Sequence, residues 1–430
     1  MMETILYPEK KSWESLCRRP VLDKSDLEVT VRSILDTVKQ DKDISLAYYS
    51  KIFDGVEIEN LIVTPDEINN SSNLVPDELK KAIDIARANL QKFHSAQIRE
   101  ESSVETSTGV VCQRKSVGIE KVGLYIPGGS APLFSTVLML GIPAKLAGCK
   151  EIILCTPPGK DGKVNPVILY TAGITGITSI FKTGGAQAIA AMAYGTETIP
   201  KVYKIFGPGN QFVTKAKELI QQDGIAIDMP AGPSEVLVVA DRFSDPEFIA
   251  ADLISQAEHG ADSQVILLTD SRELTEKVKT EIENQLQLLP RKNIALKALE
   301  NSMLIVMHSL EECMDLSNNY APEHLIINTK NSYELADKVI NAGSVFLGSF
   351  SCESAGDYAS GTNHTLPTNG FARNFSGVSV DSFQKKITFQ ELSAEGIKEL
   401  GPVIEIMAEA ENLHGHKNAV SVRLKSIKNG

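Results

Sequence analysis

Residues 122–130 read VGLYIPGGS, and the same order of a short apolar run and a glycine-bearing loop recurs three times: EIILCTPPG (151–159), SIFKTGGAQ (179–187) and VYKIFGPGN (202–210). Helical segments separate these units. Alternating strands and helices predict a parallel sheet with helices on its faces. Because right-handed crossovers bring the carboxyl ends of such strands to one edge, we expect all four loops to lie together there.

Loops at the carboxyl edge of an open α/β sheet are the usual place for a ligand. Glycine lets backbone N–H groups approach an anion, and the start of each following helix adds a partial positive charge. One such loop alone is better explained by the ordinary role of glycine in turns. Four at one edge favour a nucleotide or phosphate site, although none of them has the G-x-G-x-x-G pattern of a standard Rossmann fingerprint.

A second α/β series follows, so the predicted fold class is α/β, with two parallel-sheet, incomplete Rossmann-like domains, a helical N-terminal segment and a C-terminal appendage. Strands are predicted at 265–269, 304–307, 325–328 and 344–347. Helices are predicted at 273–288, 332–341 and 397–412, and a final strand at 419–424. The predicted units are an arm (1–22), a discontinuous first domain (23–105 with 236–380), a second domain (106–235) and the appendage (381–430).

Composition excludes several classes of protein. The chain has 430 residues, 42% of them hydrophobic, and a formal net charge of −12. This charge argues against a general nucleic-acid binder, because the phosphates of DNA and RNA would repel an acidic protein. Six scattered cysteines without a C-x-x-C pair fit a reducing compartment, and we expect a cytoplasmic protein. No signal peptide and no membrane span are predicted, so neither nucleic acid nor a membrane is an expected partner.

The predicted helix that begins near Pro246 ends in a polar pair. Gln256 and His259 are three residues apart, so they share one face of its last turn, and that face continues the apolar stripe of Ile249 and Leu253. A buried polar pair needs partners. Two interpretations stay open, a mutual hydrogen bond between the two side chains and a metal ion bound by both.

Three further polar blocks could carry chemistry. Glu323 and His324 precede a predicted strand, where adjacent side chains should diverge and serve separate acid–base duties. Residues 351–364 contain Asp357 and His364 and are either a solvated loop or a functional one. Residues 411–418 contain His414 and His416, which are either surface histidines or a pair of which one is held in place. Together, Gln, His, Asp and His supply nitrogen and oxygen ligands without a thiolate, a set that suits Zn²⁺.

Long stretches of the chain resemble the histidinol dehydrogenase family. They are DMPAGPSEV (228–236), ADLISQAEHG (251–260), PEH (322–324), ESAGDY (353–358), GTNH (361–364) and HKNAV (416–420). The resemblance implies NAD-dependent, zinc-dependent oxidation of L-histidinol to L-histidine through L-histidinal, with two NAD⁺ consumed, at the end of histidine biosynthesis. It also implies a homodimer with shared active sites, in which the appendage serves dimerisation.

The resemblance also implies roles for individual residues. One Zn²⁺ per subunit would be bound by Gln256, His259, Asp357 and His416. His324 would be the base at each oxidation, and Glu323 would activate the water that adds to the aldehyde. NAD would contact Tyr125, Gln187 and Asn210. The residues implied around the substrate are Ser234, Gln256, His259, His324, Asp357, His364, Glu411 and His416. Two alternatives stay open, a related zinc dehydrogenase for another amino alcohol and a metal-binding protein without turnover.

Overall fold

The computed structural model describes residues 2–20, 26–98, 101–128 and 132–429. Gly129 and Ser130 of the first glycine loop, and residues 1, 21 and 22 of the predicted arm, lie outside this range. The described strands are β1 (Glu3–Leu6), β2 (Ser102–Ser107), β3 (Val110–Gly118), β4 (Lys121–Tyr125), β5 (Glu151–Thr156), β6 (Ser179–Lys182), β7 (Lys204–Phe206), β8 (Ala226–Ile227), β9 (Glu235–Ala240), β10 (Gln264–Thr269), β11 (Met303–Val306), β12 (His324–Asn328), β13 (Ser344–Leu347) and β14 (Gln384–Leu392).

The helices in the same part of the chain alternate with most of these strands. They are α1 (Trp13–Leu16), α2 (Leu27–Tyr49), α3 (Pro65–Ser71), α4 (Asp77–Ser95), α5 (Phe134–Leu146), α6 (Pro166–Thr175), α7 (Gly185–Tyr194), α8 (Gln211–Ile220), α9 (Pro246–Ala257), α10 (Arg272–Leu286), α11 (Lys292–Glu300), α12 (Leu310–Tyr320), α13 (Ser332–Ala336), α14 (Glu353–Tyr358), α15 (Ala394–Ala410) and α16 (His414–Asn429).

Sheet I has the strand order β6-β5-β4-β7-β8, and all its pairs are parallel. Both of its faces are covered, because Ile152 and Leu154 belong to one buried cluster while the alternating Ile153 and Cys155 belong to another. The parallel α/β unit predicted from the four glycine loops is confirmed. Since the strands are parallel, the loops that follow β4, β5, β6 and β7 share the carboxyl edge of this sheet.

Sheet II has the order β1-β11-β10-β9-β12-β13 and is also parallel throughout. Along β9, Val236 and Val238 pack with α9, α10 and α11, while Leu237 and Val239 pack with α1 and α12 on the other face. The predicted fold class, α/β with two parallel sheets, is therefore confirmed. The sequence patterns missed β1, a four-residue edge strand in the arm that pairs with β11. The helix predicted at 332–341 ends at Ala336.

A third sheet is antiparallel and joins distant parts of the chain. Its order is β14-β3-β2, with Gln384 paired to Gly118 at one end and Leu392 paired to Val110 at the other. The sequence analysis did not predict β14. Beyond it, α15 confirms the helix predicted at 397–412.

The strand predicted at 419–424 is wrong, because these residues lie in α16. Their alternation of apolar and polar residues suggested a strand, but Val420 and Leu424 are also spaced for one face of a helix. Gly401 of α15 makes room for this helix: a Cβ there would lie 3.0 Å from a methyl of Leu424 and 3.1 Å from one of Val420. The glycine thus permits the close packing of α15 on α16.

The helices of residues 27–95 pack on sheet I. Residues of α2 share a buried cluster with α7 and α8, α3 contacts α6, and α4 contacts α5. The predicted division into domains grouped these helices with residues 236–380, and that division stays a prediction. Of the helices in the described ranges, none is both long enough and apolar enough to cross a membrane.

Candidate active site

A cavity of about 200 Å³ lies between the two parallel sheets. On one side it is lined by residues 207–209, which follow β7 at the carboxyl edge of sheet I. On the other side it is lined by Ser234, just before β9, and by His324, the first residue of β12. The cavity thus joins the carboxyl edge of one sheet to the amino edge of the other. The predicted site residues that line it are Ser234, Gln256, His259, Glu323, His324, Asp357 and His364.

The glycine loops of sheet I meet as predicted. A Cβ on Gly184 would lie 2.6 Å from the Pro157 side chain, and a Cβ on Gly128 would collide with the same ring. Gly207 has φ +126°, and a Cβ there would strike the carbonyl oxygen of Tyr125. Loops after four different strands are therefore packed so closely that Gly128, Gly184 and Gly207 leave no room for a side chain.

Gln256 and His259 lie at the end of α9, which begins with Asp245 accepting a hydrogen bond from the N–H of Glu247 (2.9 Å). Gln256 is buried, and its amide fits one orientation best. In that orientation its nitrogen donates to Glu353, and its oxygen accepts from the backbone N–H of Glu235 at 3.0 Å. The partner of Gln256 is therefore Glu353 rather than His259.

A set of possible metal ligands forms beside this pair. One ligand atom each of His259, Glu353 and Asp357 lies within 4.8 Å of the others. Glu353 and Asp357 are four residues apart on α14 and so share a face of that helix. Glu353 is buried, and its Oε2 has no hydrogen-bond partner. Nitrogen and oxygen donors together with an unpartnered buried carboxylate oxygen fit a divalent cation such as Zn²⁺.

His324 is buried at the centre of these acidic groups. Its Nδ1 lies 3.3 Å from the carbonyl oxygen of Glu235 and 3.6 Å from Oε2 of Glu323. Because both neighbours are acceptors, the neutral imidazole would carry its hydrogen on Nδ1 and would leave Nε2 as the acceptor nitrogen. Nε2 lies 3.5 Å from Oδ1 of Asp357 and makes no hydrogen bond.

Glu323 does not point away from His324, so the predicted divergence of these two side chains is wrong. Glu323 lies in the bend that precedes β12, where the alternation of an extended strand does not yet apply. Its Oε2 accepts from the backbone N–H of Glu235 at 2.9 Å. The acid and the imidazole consequently sit side by side on the cavity wall.

The electrostatics of the site are dominated by burial and by its many carboxylates. Burial alone would lower the pKa of His324, but Glu353 and Glu323 outweigh it and hold that pKa well above its usual range. Burial raises the pKa of Glu353 to about 8. Burial likewise raises the pKa of Asp252, one turn before Gln256 on α9, to about 7. A cation bound among these groups would offset their mutual repulsion.

His364 is anchored at both ring nitrogens. Nδ1 lies 2.9 Å from the backbone oxygen of Asp357, and Nε2 lies 2.9 Å from Oγ1 of Thr136. Burial lowers its pKa. Nδ1 therefore donates to the carbonyl and Nε2 accepts from the hydroxyl, which gives a neutral imidazole in a fixed orientation.

The three residues predicted to contact NAD lie at the carboxyl edge of sheet I. Tyr125 is buried, its hydroxyl accepts from the N–H of Gly185 at 3.0 Å, and burial raises its pKa to about 12. Gln187 is buried with neither amide atom in a hydrogen bond. Asn210 caps α8 through its side-chain oxygen and lines a cleft of about 560 Å³ that adjoins the cavity at Ser234 and His259.

Two of the residues predicted to bind the metal or the substrate are not brought to the cavity within one chain. Glu411 follows α15 and His416 lies in α16, and both are exposed. Neither is among the described residues that line the cavity. The cavity of a single chain therefore holds three of the four predicted metal ligands.

Comparison with known proteins gives a consistent result. The sequence model of the histidinol dehydrogenase family matches residues 17–424. The chain belongs to the histidinol dehydrogenase family. It is 58% identical to the histidinol dehydrogenase of Bacteroides thetaiotaomicron, with 100% of both chains covered, and 52% identical to that of Salmonella typhimurium, with 98% of this chain and 96% of the relative covered.

A solved structure agrees. The crystal structure of histidinol dehydrogenase from Elizabethkingia anophelis is 58% identical, covers 99% of both chains and superposes with a TM-score of 0.97. Membership of the histidinol dehydrogenase family makes this chain an oxidoreductase, which confirms the predicted enzyme class.

Three acidic residues beside the cavity are not among the predicted site residues. Glu353 belongs to the ESAGDY motif, and its spacing of four residues from Asp357 is a sequence signal for a shared helix face. Asp252 has the same spacing from Gln256 on α9. Glu235 is the first residue of β9 and Glu323 immediately precedes β12, and only the pairing of these strands brings the two together.

Proposed function

We propose that this protein catalyses the zinc-dependent oxidation of L-histidinol to L-histidine, the last two steps of histidine biosynthesis. In the first step the alcohol and NAD⁺ give L-histidinal, NADH and a proton. In the second, histidinal, water and NAD⁺ give the carboxylate, NADH and two protons. The observation that carries the proposal is the cavity in which His324, His259 and Asp357 face the glycine loops of sheet I.

The metal site of this proposal consists of Gln256, His259 and Asp357 of one chain, with His416 as the fourth ligand. When bound, Zn²⁺ supplies a Lewis acid that orients the amine and the imidazole of the substrate. Glu353 accepts a hydrogen bond from the Gln256 nitrogen, and the backbone N–H of Glu235 donates to the Gln256 oxygen, so both contacts hold the Gln256 amide in place beside His259 and Asp357.

The acid–base steps belong to His324 and Glu323. Because Nδ1 of His324 faces two acceptors, Nε2 of the neutral imidazole is the atom that takes the hydroxyl proton at each oxidation. A cation among the neighbouring carboxylates would lower the pKa of His324 towards that neutral form. Glu323 takes a proton from the water that adds to the aldehyde. His364, fixed by Thr136 and by the backbone of Asp357, lines the part of the cavity where the substrate would lie, and Ser234 and Glu411 complete the proposed substrate contacts.

The proposed NAD site is the carboxyl edge of sheet I. Buried side chains there lack partners: the hydroxyl of Thr156 at the end of β5, the hydroxyl of Thr183 just after β6 and both amide atoms of Gln187. A polar ligand at this edge would satisfy them. When bound, NAD⁺ accepts the hydride, while Tyr125, Gln187 and Asn210 hold the nucleotide.

We also propose a homodimer in which residues 381–430 complete the site of the neighbouring subunit. The exposure of Glu411 and His416 away from their own cavity supports it, as do the exposed apolar side chains of Val403, Ile406 and Met407 on α15. The six cysteines are all free, which supports a reducing, cytoplasmic location.

The proposal is tested with purified, zinc-loaded protein, L-histidinol and NAD⁺. Two NADH per histidine are expected, and no NADH with full zinc loading would reject the proposal. A panel of other amino alcohols tests the choice of substrate, because a related dehydrogenase would prefer one without an imidazole.

Sharing of sites is tested by mixing two inactive variants, His324→Gln and His416→Ala. In a shared-site heterodimer, one site receives both substitutions and the other receives neither, so mixing is expected to restore part of the activity. No recovery from a mixture that does form heterodimers would contradict shared sites.

A further inference from the structure

Glu323 is held by a residue outside the reaction described above. In the register of sheet II, Val236 of β9 is paired with His324 of β12, so Glu235 and Glu323 are neighbours at the amino edge. Their contacts are reciprocal. The backbone N–H of Glu235 donates to Oε2 of Glu323 at 2.9 Å, and the backbone N–H of Glu323 donates to Oε1 of Glu235 at 3.3 Å.

This arrangement places two buried carboxylates side by side, since Glu235 is 1% exposed and Glu323 is 6% exposed. Like charges in a buried setting repel strongly. An opposing charge is therefore required if both carboxylates are to keep their positions.

Arg19 supplies that charge. Its Nε donates to Oε2 of Glu235 and its Nη2 donates to Oε1, both at 2.9 Å, which is the bidentate geometry favoured by arginine and carboxylate. The guanidinium also donates to the backbone oxygens of Tyr320 (2.6 Å) and Cys17 (3.0 Å). It stacks 3.5 Å from the centre of the Tyr320 ring, whose hydroxyl donates to Oε2 of Glu235 at 3.2 Å.

Arg19 belongs to the N-terminal arm, more than 200 positions before Glu235 in the chain. Lysine could not replace it fully, because a single ammonium cannot form the two parallel bonds or the stacked contact. Arg19 of the arm thus binds Glu235, and Glu235 in turn contacts Glu323 on the cavity wall.

We propose that Arg19, acting through Glu235, is a positioning residue that fixes the carboxylate of Glu323 for the addition of water to the aldehyde. The inference rests on the proposed function, in which Glu323 serves the second oxidation only. Without Arg19, the charge of Glu235 would push the Glu323 carboxylate from its place. Histidinal would then form but would be oxidised slowly.

The test compares the two oxidations in Arg19→Gln and in the wild-type enzyme, both loaded with zinc. A displacement of a catalytic group by about 1 Å costs up to about a hundredfold in rate. We therefore expect NADH formation from histidinal to fall by about tenfold or more relative to the oxidation of histidinol. NADH per histidinol should drop from two towards one, and a carbonyl trap such as semicarbazide should capture the released aldehyde.

A control and a rescue variant separate this role from a general structural one. Arg18→Gln makes the same change at an exposed neighbour and should leave the stoichiometry at two. The double variant Arg19→Gln with Glu235→Gln removes both charges and keeps an acceptor for the N–H of Glu323, so it should recover a stoichiometry near two. Unchanged stoichiometry in Arg19→Gln, or no recovery in the folded double variant, would overturn the proposal.

Two further measurements cover the remaining outcomes. If Arg19→Gln does not fold, Arg19→Lys keeps the charge without the bidentate bonds and should show a smaller shift in the same direction; no shift would count against the proposal. If the wild-type enzyme makes no NADH from histidinol, the proposed function fails on its own. A crystal structure of the variant then tests the inference separately, because Oε2 of Glu323 should move away from the N–H of Glu235.

Discussion

The two parallel sheets meet at the cavity with opposite edges and with different chemistry. Sheet I presents its carboxyl edge, where closely packed glycine loops lie beside unpartnered polar side chains such as Gln187. Sheet II presents its amino edge, where Glu323 and His324 stand among ionisable groups. The first edge suits the binding of a nucleotide, and the second suits proton transfer and a cation.

The rule that ligands bind at the carboxyl edge of a parallel sheet therefore accounts for only half of this site. The rule identifies the loops after β4 to β7, because each glycine there is visible in the sequence. It does not identify Ser234 or His324, which stand before or at the start of their strands. We propose that sheet I binds the nucleotide and that sheet II carries out proton transfer and binds the cation. Substitutions at each edge test this assignment.

The largest effect is expected for His324→Gln at the amino edge of sheet II. Loss of a general base lowers turnover by about 10²–10⁴-fold, and both oxidations should suffer. Zinc content and NAD⁺ binding should stay at wild-type levels, because the glycine loops and the metal ligands are untouched. Near wild-type turnover would remove His324 from the role of base.

The next largest effect is expected for Asp252, a buried residue of α9 one turn before Gln256. Burial raises its pKa to about 7, above the value of about 3.9 in an unfolded chain. The folded protein therefore binds the proton of the Asp252 carboxyl more tightly than the unfolded chain does. The resulting contribution to the free energy of unfolding is fully present below about pH 4 and is lost as the pH rises through 7. The asparagine of Asp252→Asn cannot ionise, so this variant should not lose stability through ionisation at this position as the pH rises.

Between pH 5 and pH 8, we expect the free energy of unfolding of Asp252→Asn to rise by about 2 kcal/mol relative to that of the wild-type protein. Urea titrations of the metal-free proteins measure this difference. The exposed Asp77→Asn serves as the control, with no such trend expected. A parallel pH dependence of wild type and Asp252→Asn would show that Asp252 ionises normally.

A smaller effect is expected for Gln256→Ala. Removing one proposed ligand should weaken Zn²⁺ binding by about tenfold or more, since even partners of ligands contribute about 10–100-fold. Competition with a chelator measures the affinity, and Gln91→Ala, at an exposed position of α4, is the matched control. Equal zinc affinity of Gln256→Ala and the wild-type enzyme would exclude Gln256 from the metal site.

The smallest effect is expected at sheet I, for Gln187→Ala. Loss of one or two hydrogen bonds should raise the KM for NAD⁺ by about tenfold and leave zinc content and kcat nearly unchanged. A fall in kcat without a change in KM would contradict the assignment of nucleotide binding to this edge.

Local patterns in the sequence predicted the parallel sheets and the clustering of most site residues. What they missed depends on contacts between distant parts of the chain. β14 is defined by its pairing with β3, more than 260 residues earlier, and Glu235 becomes part of the site only through its neighbour Glu323 and through Arg19. In the same way, the helix at 419–424 depends on the space that Gly401 provides for Val420 and Leu424.

The central claim is that a zinc ion and a nicotinamide share the cavity between the two edges. Anomalous scattering at the zinc edge, from crystals grown with Zn²⁺, NAD⁺ and histidinol, tests it most directly. We expect one zinc peak per chain, surrounded by Gln256, His259 and Asp357 of that chain and by His416 of the partner subunit. The nicotinamide should lie beside residues 207–209. A zinc peak elsewhere, or a dinucleotide bound away from the carboxyl edge of sheet I, would contradict it.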